Sequence, residues 1–521
     1  MAKKRSQIVP PPIKDKKPKK PRASKDAEHD ATPQTSKPPA QVIEQMPQHD
    51  ADSTSLLSLH LDSPPPQTGG EILQMPNRQE TPARFFAWMI APLSPSAFEK
   101  DVRERRPLYI DRSAHRTFYR DFFSIREFER ILRSEQLKWT KDIDITKYEC
   151  GERRTLNEDG EIADADRVLK SVFTNGCSAR LSWPQKHSDQ IWSLVSTIEE
   201  YFACGGGCNV YLTPPDAQGF APHYDDVDVF VLQIEGEKRW VLHSPLDESD
   251  ILPRFPSQDL HPEALGEPLA TVTMHPGDIM YLPRGTIHHA ISGSGAASLH
   301  LTVSISRLHT WRDLLEVAFR GALETASAND PTFRRAPPRG HLEYMGIIHS
   351  DEADQVGEQD SEPDSRAQRR AAFSREASRL MTQVLNSVPL DDAVDQFAAH
   401  GFLHDRLAPF SAPMDVECLL RHDQVSLDSR IRLRSRRVAR LTIEGEVAVL
   451  YHCGGNGREM FHAHSEPQHI DFAIESAPAL EAILCSFPKY TSVCKLPAEN
   501  DAQRLDLVRA LAEESLLITK Q

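Results

Sequence analysis

Residues 223–240, HYDDVDVFVLQIEGEKRW, decide how this chain folds and what it is built to hold. His223 and Asp225 are two apart, and side chains at i and i+2 of an extended segment point to one face, so both reach one ion. The run VDVFVLQIEG is rich in β-branched and aromatic residues. Glu235-Gly236-Glu237 is a turn signal and the chain returns as KRWVL, which predicts a hairpin. Lys238 opens the return strand beside Trp240 and Val241 rather than among other charges. A lysine so placed is suited to hold a carboxylate inside an otherwise apolar barrel.

A second stretch, GDIMYLPRGTIHHA (277–290), supplies the partner. Pro276-Gly277-Asp278 and Pro283-Arg284-Gly285 are turns around the short apolar strand IMYL, and the second turn delivers His288. SLHLTVSIS (298–306) then alternates, with Ser298, His300, Thr302, Ser304 and Ser306 on one face and Leu299, Leu301, Val303 and Ile305 on the other. That pattern fits a small barrel whose polar side lines a pocket. Two imidazoles and one carboxylate, His223, Asp225 and His288, form the facial set that leaves half of an octahedral ferrous site open. Open positions admit O2 and an organic co-substrate. His243, His289 and His300 are read as structural or supporting groups.

The runs 209–240 and 277–304 resemble the JmjC-type ribosomal oxygenases, in their nucleolar branch of bifunctional lysine-specific demethylases and histidyl-hydroxylases. The similarity extends over about 80–310. SAFEKDVRERRPLYIDR (96–112) is similar to the family's opening segment, with RERRP where an aromatic-acidic-basic-basic-Pro sequence is usual. GCSARLSWPQ (176–185) resembles the segment whose arginine, here Arg180, lies near the peptide substrate. The resemblance implies a double-stranded β-helix (cupin/JmjC) barrel braced by helices, in a mixed α+β chain. It makes His223, Asp225 and His288 the Fe(II) ligands and gives Lys238 the distal carboxylate of 2-oxoglutarate. Asn209, Tyr211 and Thr302 would line the co-substrate pocket, and Arg180 and Ser304 would face the substrate. His289 stands where the branch usually has glutamine. RGHLEYMGIIHSDE (339–352) and 388–410 are similar to the family's helical dimerisation region, and 459–487 with 499–519 to its winged-helix domain. The implied substrates are a ribosomal-protein histidine and a histone H3 methyl-lysine, with roles in chromatin and transcriptional repression and a nuclear, nucleolar location.

At 521 residues the chain holds two or three domains. It contains no transmembrane-length run and no apolar secretory stretch. Eight scattered cysteines suit a reducing compartment, and Cys204-Gly-Gly-Gly-Cys208 reads as a glycine-rich turn with two buried thiols. A net charge of −15 argues against a nucleic-acid coat. The opening is nevertheless basic and Pro-rich, and KDKKPKKPR (14–22) reads as a nuclear localisation signal or an rRNA contact.

The expected order is a disordered tail over 1–78, an oxygenase domain over 79–309, helices over 310–405 with an acidic loop at 349–368, and a winged-helix-like unit over 406–521. Phe85, Phe86 and Trp88 are early core residues. Residues 118–135 and 191–205 predict amphipathic bracing helices, the second stopped by Gly205. A further helix, RRAAFSREASRLMTQVLNSV, carries Phe373, Leu380, Met381 and Leu385 as a core stripe or a dimer seam. Its end domain lacks a basic recognition helix, which argues against sequence-specific DNA reading. Two other function classes stay open on the residues alone. One is a catalytically silent cupin acting as a nuclear scaffold or repressor, and the other a small-molecule dioxygenase or isomerase.

Overall fold

The computed structural model describes residues 55–75, 80–157, 162–350, 365–410, 417–458 and 466–520. Its first strands are β1 (Leu57–His60), β2 (Leu108–Asp111), β3 (Ile143–Glu149), β4 (Glu152–Thr155), β5 (Ser178–Ser182) and β6 (Gly206–Thr213). There follow β7 (Asp228–Glu235), β8 (Lys238–His243), β9 (Ala270–Met274), β10 (Ile279–Leu282), β11 (Ile287–Ser292) and β12 (Ser298–Ile305). One sheet runs β1-β2-β10-β7-β12-β6-β5-β3-β4 and a second runs β11-β8-β9.

The hairpin expected at 228–243 does not form. β7 pairs with β10 and β12, whereas β8 pairs with β9 and β11. The turn at Gly236 hands the chain from one sheet to the other, as a double-stranded β-helix requires. Gly236 sits at φ +62°, and a Cβ there would lie 2.2 Å from the Ala297 carbonyl oxygen. Both faces of β7 are buried, which explains its unbroken apolar run. Phe230, Leu232 and Ile234 pack with the bracing helices, while Val229 and Val231 pack between the sheets with Trp240, Leu242 and Met274.

The braces are α1 (Gly69–Leu73), α2 (Thr81–Met89), α3 (Pro95–Asp101), α4 (Ile125–Ser134), α5 (Ala165–Phe173) and α6 (Asp189–Phe202). Helix α4 starts later than expected because Ser124 caps it, accepting from the Glu127 N–H at 3.0 Å. Helix α6 ends earlier, at Ala203 in the left-handed region (φ +55°) rather than at Gly205. Order also begins before residue 79. Strand β1 pairs in parallel with β2, and Leu61 and Ile72 are buried. Apolar residues Leu57, Leu59 and Leu61 carry that early segment, which the Pro-rich composition around it obscures. The basic run at 14–22 and most of the acidic loop (351–364) lie outside the described residues.

After the barrel come α7 (Trp311–Asn329), α8 (Arg366–Asn386) and α9 (Leu390–Phe397), then β13 (Glu417–Leu419), β14 (Arg430–Leu433), β15 (Ala439–Glu444), β16 (Val447–His452) and β17 (His469–Ala473). The chain closes with α10 (Ala477–Ser486), β18 (Thr491–Ser492), α11 (Asp501–Glu513) and β19 (Leu517–Lys520). This last unit has its own core, including Leu433, Leu450, Ile483, Val508 and Leu511. It is bolted to α6 by buried charge. Arg406, 0% exposed, donates to Glu200 Oε2 at 2.7 Å, and Leu407 N–H donates to Glu199 Oε2 at 3.0 Å. No described helix is long and apolar enough to cross a membrane.

Candidate metal centre

A backbone bridge sets the geometry of the centre. His288 N–H donates to the His223 carbonyl at 2.8 Å and His223 N–H to the His288 carbonyl at 3.2 Å, so the two imidazoles share one face. Asp225 is pinned by the same turn that delivers His288, since Gly285 N–H donates to its carbonyl at 3.1 Å. Gly285 stands at φ +89°, and a Cβ there would lie 2.4 Å from the Asp250 carbonyl oxygen. The Pro-Arg-Gly turn therefore positions two of the three side chains.

One ligand atom from each of His223, Asp225 and His288 lies within 4.8 Å of the others, the one such cluster among the described residues. His223 Nδ1 donates to the Ala221 carbonyl at 2.8 Å and His288 Nδ1 to the Thr286 carbonyl at 3.0 Å. Those bonds fix the tautomer and turn each Nε2 lone pair inward. The Nε2 atoms lie 3.9 and 3.8 Å from the two Asp225 oxygens. Burial, with His223 beside it, pushes the His288 imidazole down to about 4 and keeps it neutral. Two imidazoles, a carboxylate and an open side are the donor set of a ferrous ion, and the residues fit it.

Above the three lies a cavity of about 560 Å³ lined by Arg180, Tyr211, Lys238, Trp240, His300 and Thr302 among others. Lys238 is 6% exposed and donates to Thr213 Oγ1 at 3.2 Å. Burial pulls its ammonium down to about 7. A buried cation without a counter-charge invites an anion. Arg180 pairs with Asp144 at the cavity wall. His300 stacks on Tyr211 with ring centres 4.9 Å apart, and burial holds it well below the ordinary histidine range.

Of the residues the sequence singled out, Arg180, Tyr211, Lys238, His289, His300 and Thr302 meet at this cavity with His223, Asp225 and His288. Asn209 and Ser304 do not line it; Asn209 instead bonds to Tyr211. His289 packs on His243 with ring centres 5.8 Å apart and is no member of the cluster. It nevertheless lines the same cavity, with its ring outside the three-residue cluster. Sequence reading missed Thr213 and Asp144. Thr213 was recoverable, since it follows Tyr211 by two on β6. Asp144 comes from a distant strand with no motif. The Cys204 and Cys208 thiols are free and buried; burial pushes Cys204 up to about 11 and raises Cys208 as well, away from redox reactivity.

The chain matches the JmjC domain over residues 180–314 and the C-terminal winged helix domain of Ribosomal oxygenase 1 over 413–521. It is 36% identical over 436 residues to the bifunctional lysine-specific demethylase and histidyl-hydroxylase NO66 of Dictyostelium discoideum, spanning 83% of this chain and 82% of that one. The chain belongs to the JmjC ribosomal oxygenase family. Ribosomal oxygenase 1 of Rattus norvegicus is 34% identical over 474 residues, covering 88% of this chain and 76% of its own length. Ribosomal oxygenase 1 of Homo sapiens is also 34% identical, over 473 residues, with 88% and 71% covered. The solved Escherichia coli ribosomal oxygenase YcfD aligns over 82% of this chain and 98% of its own with a TM-score of 0.45 and 15% identity, too distant to bear on function. As a JmjC ribosomal oxygenase the chain is an Fe(II)- and 2-oxoglutarate-dependent dioxygenase. That membership favours the oxygenase over a silent scaffold, and the His223, Asp225 and His288 cluster and the buried lysine are all in place.

Proposed function

We propose that this oxygenase hydroxylates a histidine of a ribosomal protein, with removal of a methyl group from a histone H3 lysine as a second outcome of the same oxidation. The observation that carries the reading is Lys238, a buried cation without a carboxylate partner at the cavity that also holds His223, Asp225 and His288. In it, those three residues hold the metal. Lys238 grips the far carboxylate of 2-oxoglutarate by a charge-assisted hydrogen bond, and Tyr211 and Thr302 flank that molecule. Ferrous iron with this co-substrate supplies oxidation of a C–H bond by O2, the co-substrate leaving as succinate and CO2. Arg180, fixed by Asp144, orients the polypeptide, while Trp240 and the apolar wall behind it keep water out. The names of the relatives in Dictyostelium and rat support both substrates.

Both outcomes begin with the same C–H oxidation. A histidine keeps the new hydroxyl, whereas an N-methyl group becomes a hemiaminal that releases formaldehyde. Mass spectrometry separates them. A ribosomal-protein peptide bearing histidine gains the mass of one oxygen atom, and a trimethyl-lysine H3 peptide loses the mass of one CH2. The proposal fails if 2-oxoglutarate is consumed and neither peptide changes.

The same reading makes the chain a homodimer that works in the nucleus and nucleolus on chromatin as well as ribosomal proteins. Its support is α8, which buries no residue fully and leaves Met381 60% and Leu385 56% exposed. With Phe319 and Leu323 of α7, these line an apolar cavity of about 1080 Å³. Apolar surface of this extent marks an interface more often than a free face. Light scattering of Met381→Asp combined with Leu385→Asp should give a monomer where the unaltered chain gives a dimer.

A further inference from the structure

A second cavity, of about 600 Å³, adjoins the catalytic one and is not used by the chemistry above. Asp226, next to Asp225, lines both. So does one short loop, which gives Pro253 and Arg254 to the second cavity and Pro256 and Ser257 to the first. That loop is anchored at the metal centre, because Tyr224 N–H donates to Ser257 Oγ at 3.0 Å and Tyr224 Oη to Asp250 at 3.0 Å. Asp226 is thus the saddle that the two cavities share.

Several charged groups that line the second cavity pair with one another or with a buried neighbour. Arg284 bonds to Glu104 and to Asp228, which is 0% exposed, and Arg254 pairs with Asp313. The lining that stays exposed is mixed, with Arg312 and Asp226 beside a group of apolar side chains. Trp311 is 65% and Leu308 43% exposed, with Leu252, Pro253 and Phe397 beside them.

Its backbone is unusual as well. Among the described residues ten non-glycine residues have positive φ, and four of them line this cavity: Glu104 (55°), Leu252 (50°), Ser306 (67°) and Leu308 (48°). A leucine rarely adopts that conformation. Such strain persists where the surroundings hold it, and it concentrates at binding and catalytic sites.

We infer that this cavity is a substrate subsite, which receives a bulky apolar side chain of the polypeptide flanking the residue oxidised over His223, Asp225 and His288. The inference rests on the polypeptide-oxygenase reading and deepens it. An extended chain crossing the saddle at Asp226 places one residue at the metal centre and a neighbour against Trp311 and Leu308. Recognition of that neighbour selects the substrate without touching the reacting atoms.

The test uses the full chain and a set of histidine-bearing peptides in which leucine or alanine occupies, one at a time, each of about six positions on either side of the histidine, a reach on the order of 20 Å of extended chain. The readout is the leucine-to-alanine ratio of kcat/KM, taken within each protein variant. The unaltered chain should prefer leucine about tenfold at one flanking position. Trp311→Ala should collapse that ratio to near one, and so should Leu308→Gly, which removes the side chain while tolerating the left-handed backbone. A preference of the same size in both variants overturns the subsite, as does oxidation without preference at any position. If the unaltered chain oxidises no peptide at all, the polypeptide reading fails and the subsite with it.

Discussion

Lys238 donates to Thr213 Oγ1 at 3.2 Å and, among the described residues, pairs with no carboxylate. Strand β8 buries it beside Trp240, in the wall of the cavity that holds His223, Asp225 and His288. Lys238→Ala should therefore raise the KM for 2-oxoglutarate by about 10- to 100-fold, the worth of one hydrogen bond to a charged group. The fold should be retained. Steady-state kinetics against 2-oxoglutarate check it, and an unchanged KM removes this lysine from the pocket.

The same residue gives a pH signature. An ordinary lysine stays protonated to beyond pH 10, but burial pulls Lys238 down to about 7. Its charged fraction in the free enzyme falls as pH rises through that value. The kcat/KM for 2-oxoglutarate should accordingly fall by about tenfold per pH unit above 7. Lys238→Arg should push the decline to higher pH, because guanidinium does not titrate there. A flat profile from pH 7 to 9 in the unaltered enzyme contradicts this.

His288 and His289 are adjacent, yet only His288 joins His223 and Asp225. His288→Ala should lose bound iron and turnover together, while His289→Gln should keep one iron per chain and most of the activity. Metal analysis of the purified variants decides between them. The reverse pattern would make His289 the ligand.

Much of this site was legible in the sequence because short-range rules govern it. The His-x-Asp pair, the Pro-Arg-Gly turn and the alternation of β12 each fix which side chains share a face. The strand pairing was not legible. Residues 228–243 look like a hairpin locally, and only the sheet-to-sheet topology reveals that Gly236 turns a corner. Asp144, which holds Arg180, could not be read for the same reason: the β3–β5 register brings them together, not any motif. The early strand at Leu57–His60 was hidden by the Pro-rich composition around it, although its pairing with β2 is what makes it ordered.

Arg406 joins the bracing helix α6 to the C-terminal unit from a fully buried position. Arg406→Ala takes from the buried Glu200 its closest cation, leaving Arg437 and Ser435 as partners, and should cost about 3 kcal/mol of stability. Removing both, in Glu200→Ala combined with Arg406→Ala, should restore part of the loss. Denaturant unfolding of the two single variants and the double variant tests this, and strictly additive losses would show that the two charges do not interact.

The most direct test of the central claim counts oxygen atoms against succinate. With a histidine-bearing ribosomal-protein peptide, Fe(II) and 2-oxoglutarate, the unaltered chain should form one succinate for each oxygen gained by the peptide, and Asp225→Ala should form neither. Oxidation of the peptide that persists without 2-oxoglutarate, or in Asp225→Ala, would contradict the account.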